Sequence, residues 1–372
     1  MQNSSPLTDE RHDKLTSSRF PISRKNAGRA LIAIVSLAAL LVLVVQILHT
    51  AGTITAGFSD WSPILYAYLL WAIAFGIGQA LVREERGLRA LFLLPAVLFT
   101  VAVVIFPTAF GIYIASLDWN LSSYEGPHFN GWNNLIGLFQ DSYYWNALGN
   151  MVFYTVSVLA EYAIAFALAL LLNTEIRARK LFRVVFLLPL MLSPVAVSWM
   201  IGKSLMEYRF GPAATLARYL GWDNPAFFSS PWTARLSIET MDAWVSIPFI
   251  MILLLAGLQA MSKDLLEAAR VDGATGWQSF RHVTFPLMLP VSITVLVIRI
   301  IFKLKLADIV INVTAGGPGG ATDTVSSFIY RVYRDRSNVG YGTGLAMFYL
   351  VLIIVFLTAL LRVSRRWTQR VA

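Results

Sequence analysis

Charged side chains interrupt stretches of this sequence that are otherwise apolar, and their spacing sets them on shared helical faces. Glu239 and Asp242 are three residues apart, as are Lys305 and Asp308, while Arg299 and Lys303 are four apart. Residues three or four apart are neighbours on a helix surface. Glu161 stands alone in the apolar run from Ala147 to Leu172. Ionisable groups at membrane depth are costly and mark a transport path or a partner charge by default. Glu161, Glu239, Asp242, Arg299, Lys303 and Lys305 are therefore candidates for a substrate path. The other outcome is pairing. The basic face of one helix meets the acidic face of another, Lys305 bonds Asp308 locally, and Glu161 joins the network, because an unpaired buried charge is expensive.

Other chemistry is missing. No G-x-x-x-x-G-K-[ST] run is present, so the chain does not itself cradle nucleotide phosphates. Gly-Gly-Pro-Gly-Gly at 316–320 lacks the lysine and the helix start, and reads as a turn or loop. The four histidines, His12, His49, His128 and His282, have no ligand partner three or four residues away, and there is no cysteine. No nucleophile–base pair stands out. The chain is expected to have no catalytic residue, no metal site and no cofactor of its own.

The elements that position these charges are long apolar helices. Of 372 residues, 57% are apolar and 14% charged, and the mean hydropathy is +0.63. A soluble domain carries roughly 25% charge. The deficit excludes a soluble globular enzyme, a disordered chain and a disulfide-stapled secreted domain. Crossing the hydrocarbon core takes about 20 apolar residues. Eight windows qualify: Ala30–Leu48, Pro63–Leu81, Leu91–Leu117, Ala147–Leu172, Val184–Met206, Leu236–Met261, Phe285–Lys305 and Gly342–Leu361. The expected class is an all-α polytopic membrane protein. Residues 1–29 read as a cytoplasmic tail, 30–89 as an N-terminal transmembrane hairpin, and 90–372 as a six-helix core with a cytoplasmic loop at 261–285. The first window is too long for a usual signal peptide and reads as a retained helix.

Orientation follows from the bases. With the N-terminus inside, the inner segments hold 20 Lys and Arg and the outer ones nine; the outer segments 49–62 and 118–146 hold none. Positive charge stays on the cytoplasmic side, so both termini are placed there. The net charge of +9 is then an orientation signal and calls for no nucleic acid. Segment 118–146 carries Trp119, Tyr124, Phe129, Trp132 and Trp145 instead, as an interface belt or a lid on the outer face.

The loop between the sixth and seventh windows is the most informative stretch. Ser262 suits an N-cap, Lys263 to Val271 are good helix formers, and Gly273 suits the left-handed stop. Gly276 to Val283 can form a second short helix, and Pro286 opens the next span. Leu265, Leu266 and Ala269 can form one face, with Glu267 and Arg270 on another. Small Ala268 and Ala269 permit close approach by another surface, as a docking knob requires.

Glu267-Ala268-Ala269, Asp272-Gly273-Ala274, Phe280, Pro286 and Pro290 resemble the EAA loop of the membrane subunits of bacterial ATP-binding-cassette importers, with 23 residues from the glutamate to the last proline. Other segments resemble the carbohydrate branch, the maltose- and glycerol-phosphate-type permeases. These are Phe92 to Pro95, Phe106-Pro107, Asp118-Trp119, Trp145 to Asn150, Arg179 to Arg183, Leu188-Pro189, Ala256 to Gln259, Thr314 to Pro318 and Tyr341-Gly342. The resemblance covers roughly residues 90–365. Eight spans look like the larger maltose-type subunit, although no outer loop here exceeds about 40 residues, so its large periplasmic domain is absent.

The resemblance implies a heterodimer with a second permease, two cytoplasmic ATP-binding-cassette subunits holding ATP and Mg, an extracytoplasmic solute-binding protein, and a bacterial inner membrane. Glu267, Ala268, Ala269, Asp272, Gly273 and Ala274 are the implied ATPase-coupling residues. Maltose-type subunits have polar substrate contacts on the stretch matching Phe302 to Leu306. Lys303 and Lys305 there suit an anionic or phosphorylated sugar, with a neutral oligosaccharide the open alternative. An ion-gradient-driven secondary transporter is the competing class, and it leaves the EAA loop unexplained. A membrane glycosyltransferase is a third, and it lacks the expected acidic cluster in a loop.

Overall fold

The computed structural model describes residues 22–50, 52–174 and 177–371, and they are almost wholly helical. Residues 1–21 of the expected tail lie outside the described residues. Helix α1 (Ile22–Thr50) already includes residues 22–29. Lysine and arginine are good helix formers, and a span can continue past the hydrocarbon edge into water.

Two compact units make up the chain, residues 1–110 and 111–372. The expected hairpin at 30–89 thus gains a third helical segment. Helix α2 (Ser62–Thr100) follows α1 and is assigned as continuous helix through the basic stretch 83–89, where the sequence reads as a loop. It nevertheless doubles back. A Cβ on Gly87 would run into the carbonyl oxygen of Gln79, whereas eight residues of straight helix rise about 12 Å. The two apolar stretches are accordingly Ser62–Arg83 and Gly87–Ala115. Between α2 and α3 (Phe106–Ala115) lies a π turn, Val101–Ile105. Pro107 accounts for it, because a proline removes one helical N–H and its ring pushes on the carbonyl four residues back.

The second unit opens with a two-residue strand pair, β1 (Leu117–Asp118) and β2 (His128–Phe129), with Leu117 opposite Phe129. Helices α4 (Asn133–Gln140) and α5 (Ser142–Asn173) follow. Asp141 caps α5 by accepting from the backbone N–H groups of Tyr143 at 2.9 Å and Tyr144 at 3.3 Å. Then come α6 (Arg179–Leu187), α7 (Pro194–Val197) with a π segment to Leu205, α8 (Pro212–Tyr219) and α9 (Pro231–Gln259). The loop at 261–285 holds α10 (Lys263–Val271) and α11 (Gly276–Ser279). The chain ends with α12 (Phe285–Lys303), α13 (Asp308–Val313), α14 (Val325–Arg334) and α15 (Val339–Val371).

Seven stretches of the described residues are long and apolar enough to cross a membrane, eight if one bent pair is a single span. That pair is the fifth window. Arg179–Met191 and Pro194–Leu205 meet at 97°. Ser193 precedes a proline and is held extended, at φ −70° and ψ 149°, and its hydroxyl caps the new helix by accepting from the Ala196 N–H. The residue before proline avoids the helical region, so the helix cannot run straight through.

Helix α5 is the spine of this unit. Its first part (Tyr144, Ala147, Met151) packs with Phe328 and Val332 of α14 and Leu345 of α15. Its middle, at Tyr154, packs with Ile238 and Met241 of α9 and Ile309 of α13. Its last part (Ala165, Phe166, Ala169, Leu172) packs with Ile250 to Leu258 of α9 and Met288 and Val295 of α12. Glu161 lies between the second and third of these apolar clusters.

Candidate functional site

Three helices converge on five charges. Glu161 comes from α5, Glu239 and Asp242 from α9, and Arg299 and Lys303 from α12. The Lys303 ammonium donates to Glu161 Oε1 at 2.8 Å, Glu239 Oε2 at 2.6 Å and Asp242 Oδ2 at 2.6 Å. The Arg299 guanidinium grips Glu161 with both arms, Nε to Oε2 at 2.6 Å and Nη2 to Oε1 at 3.0 Å. It also donates to Asp242. Lys303, Glu161 and Arg299 lie deepest, with side chains 0%, 2% and 4% exposed, against 12% and 13% for Glu239 and Asp242. The three carboxylates gather closely enough to hold a cation, with one oxygen from each within 4.8 Å of the others, and the Lys303 ammonium already bonds all three. Two bases against three acids leave the cluster one negative charge in excess if all are ionised.

The structure therefore joins five of the six sequence candidates. Lys305 is the exception. It follows the end of α12 and is exposed, as is Asp308, and no ion pair links the two. Residues two apart on a helix point to nearly opposite sides, so Lys303 and Lys305 cannot share one site. Lys305→Gln is expected to leave solute uptake within about twofold of wild type, as surface changes usually do, read by uptake of labelled solute into cells. Tyr154 was invisible to charge reading. It is buried seven residues before Glu161 on the same face of α5, with the Lys303 ammonium 5.8 Å from its ring centre.

A second polar network fixes the glycine-rich loop that includes residues 316–320. Asn150 of α5 donates to the carbonyls of Gly320 at 3.0 Å and Asp323 at 2.9 Å. Arg235 of α9 donates to Asn150 Oδ1 at 3.1 Å and to the Ala321 carbonyl at 2.8 Å. Asp323 is buried, accepts from Ser327 Oγ at 3.0 Å and pairs with Arg331. Burial lifts its carboxyl above the usual range in spite of that arginine.

The loop at 261–285 is built as its sequence requires. Ser262 Oγ caps α10 by accepting from the Asp264 N–H at 3.2 Å. Gly273 takes φ +78°, and the N–H groups of Asp272 and Ala274 close on the carbonyls of Ala268 at 2.9 Å and Ala269 at 3.0 Å. Thr275 and Gln278 form a reciprocal capping box that starts α11. Glu267, Ala268, Asp272 and Gly273 are exposed, Ala274 is half-buried, and Ala269 is buried against the body. Leu265 is also exposed and Val271 is 87% exposed. The apolar side chains at the tip of α10 thus face outward rather than joining Ala269, a surface suited to a partner. Phe166 of α5 stacks edge-on against Phe280 at 5.8 Å and Phe285 at 6.2 Å, which pins the second half of the loop to the spine. A cavity of about 820 Å³ lies beside them, lined by Tyr162, Phe166, Arg270 and Trp277 among others.

Residues 133–369 match the family described as binding-protein-dependent transport system inner membrane component. The chain belongs to this family. Among its relatives is the trehalose/maltose transport system permease protein MalF of Thermococcus litoralis, 31% identical over 76% of this chain and 95% of that one. Another is the sulfoquinovosyl glycerol transport system permease protein SmoG of Agrobacterium fabrum, 30% identical over 76% of this chain and 91% of the relative. A bacterial alginate ABC transporter, solved in complex with an alginate pentasaccharide-bound periplasmic protein, contains a chain of the same fold. It has a TM-score of 0.64 at 24% identity, covering 83% of this chain and 98% of that chain. This permease is a multi-pass inner-membrane subunit of an ATP-driven importer. It is a transport subunit and not an enzyme; its system hydrolyses ATP on partner subunits and takes solute from a binding protein. The family match begins at Asn133 of α4, whereas the 76% of this chain shared with these two relatives reaches back beyond it into the first unit.

Proposed function

We propose that this permease is the larger, maltose-type member of a heterodimer with a second permease, joined to two ATPase subunits that bind ATP and Mg and served by an extracytoplasmic binding protein. Both termini are cytoplasmic. The solute is a sugar or sugar derivative, as the names of the two relatives indicate, and it crosses by alternating access, a rigid-body switch between inward- and outward-open states. The observation that carries this reading is the coupling loop. A capped nine-residue helix offers Glu267, Ala268, Asp272 and exposed Val271 outward, on a turn that a glycine holds at positive φ. Glu267, Ala268, Ala269, Asp272, Gly273 and Ala274 form the contact with an ATPase subunit.

The charge cluster favours a hydroxyl-rich solute over an anionic one. Its bases are already bonded to carboxylates, and the part still open to solvent is acidic. Carboxylate oxygens accept hydrogen bonds from sugar hydroxyls and repel anions. Uptake is expected to stop on ATP depletion, to survive collapse of the proton gradient, and to be inhibited by an excess of a neutral oligosaccharide more strongly than by a sugar phosphate. Uptake that follows the proton gradient instead would mean a secondary transporter.

A further inference from the structure

The motif Arg179-Lys-Leu-Phe-Arg183 takes no part in the coupling helix or the charge cluster. Helix α6 sets Arg179 and Arg183 four residues apart on one face, against the end of α9. With the Gln259 amide turned so that its oxygen meets them, that single oxygen accepts from Arg179 Nη2 at 3.1 Å and from Arg183 Nη2 at 2.6 Å. Both Nε atoms are sealed from solvent and donate to nothing. Among the described residues no carboxylate lies within 4.0 Å of either guanidinium. Glu175 lies outside the described residues.

Two full positive charges thus share one neutral acceptor. Arginine does not deprotonate in proteins. The C-terminus of α9 offers only about half a negative charge. Among the described residues the arrangement lacks an anion with several acceptor oxygens. Paired guanidinium forks match phosphate in geometry as well as charge. The surroundings indicate where the phosphate comes from. Leu181, Phe182, Val184 and Val185 of the same helix are exposed, beside exposed Arg177 and Lys180. Apolar side chains collared by bases are what a helix shows to the edge of an anionic bilayer.

We propose that Arg179 and Arg183 form a phosphate-binding site filled by the headgroup of an anionic phospholipid. On the orientation proposed above this is the cytoplasmic leaflet. The site holds the end of α9 immediately before the coupling loop.

The test is the thermal midpoint of the full chain in a neutral detergent, which does not depend on orientation or on transport. Phosphatidylglycerol is expected to raise it by roughly 5 °C at a hundredfold excess over its dissociation constant, and diacylglycerol of the same chains to leave it unchanged. Lys180→Gln keeps the shift and Arg179→Gln/Arg183→Gln loses it. A shift with phosphatidylglycerol but not with inorganic phosphate assigns the site to lipid; a shift with both still supports a phosphate site and makes free phosphate sufficient. No shift with either, or an equal shift in the double variant, overturns the proposal. So does a Glu175→Gln variant whose midpoint falls as far as that of the double variant, because the pair would then be neutralised within the chain. If the double variant cannot be recovered, Arg183→Lys, which keeps the charge without the fork, is expected to halve the shift, and a full shift there overturns the proposal.

Discussion

Lys303→Met is expected to lower the stability of the folded chain by about 3–5 kcal/mol, the usual effect of removing one partner from a buried ion pair. Lys303 bonds carboxylates from two helices while standing on a third, and its side chain is wholly buried. Without it, Glu239 loses its one basic partner among the described residues, and three acids face the one guanidinium of Arg299. Methionine has nearly the same length, so packing changes little and the loss is electrostatic. The measurement is the thermal midpoint of the detergent-purified chain, together with its level in membranes. Adding Glu239→Gln removes one negative charge and is expected to restore at least half of the loss. A Lys303→Met chain as stable as wild type would mean that these charges are not paired in the folded state. Glu161→Gln is expected to act in the same direction, since it breaks the two-armed bond with Arg299.

How much of this site the sequence disclosed follows from helical geometry. Spacings of three and four put Glu239 with Asp242, and Arg299 with Lys303, on single faces. They carry no information on which face of α9 meets which face of α12, since that register is set by the apolar packing of Ile250, Leu254 and Val295 beside Phe166. Glu161 was legible as the lone charge of its window. Tyr154 and Asn150 were not, because a polar group on a mostly apolar helix has no periodicity to declare it. They lie seven and eleven residues before Glu161, on the face that the packing of α5 turns inward. The fifth window shows a different blindness. Mean hydropathy over some 20 residues is the same for a straight and a bent span, so Pro189 and Pro194 were visible while the 97° break was not. In the first unit, the bases at 83–89 fall where the two apolar stretches Ser62–Arg83 and Gly87–Ala115 meet. The loop at 261–285 was the most legible part, because its caps and its glycine are local signals that need no partner to interpret. Even there the outward side of Val271 escaped, since the apolar face of a short helix is expected to turn inward until a partner surface is considered.

Gly273→Asp is expected to abolish uptake while the protein still reaches the membrane at near wild-type levels. The residue sits at φ +78°, and a Cβ there meets no atom within 4 Å. The substitution therefore causes no clash; it costs about 1 kcal/mol of backbone strain, too little to unfold an integral membrane protein. What changes is the direction of α10. The turn at Gly273 fixes the angle between α10 and α11, and α11 is fixed in turn by Phe280 against Phe166. Relaxing the strained residue re-aims the helix that carries Glu267 and Val271, so the closing motion of the ATPase no longer reaches α9 and α12. Glu267→Lys tests the same contact without touching the backbone. It reverses an exposed charge, which by itself rarely shifts stability by more than about 0.5 kcal/mol, yet it is expected to be equally silent in uptake. The decisive comparison is between ATP hydrolysis and uptake in the assembled transporter. Both variants are expected to lose stimulation of hydrolysis by the loaded binding protein together with uptake, because one mechanical contact serves both. Uptake at the wild-type level in both variants would remove the coupling role from this loop. Loss of uptake in Gly273→Asp alone would confine the contact to the α10–α11 turn and exclude Glu267 from it.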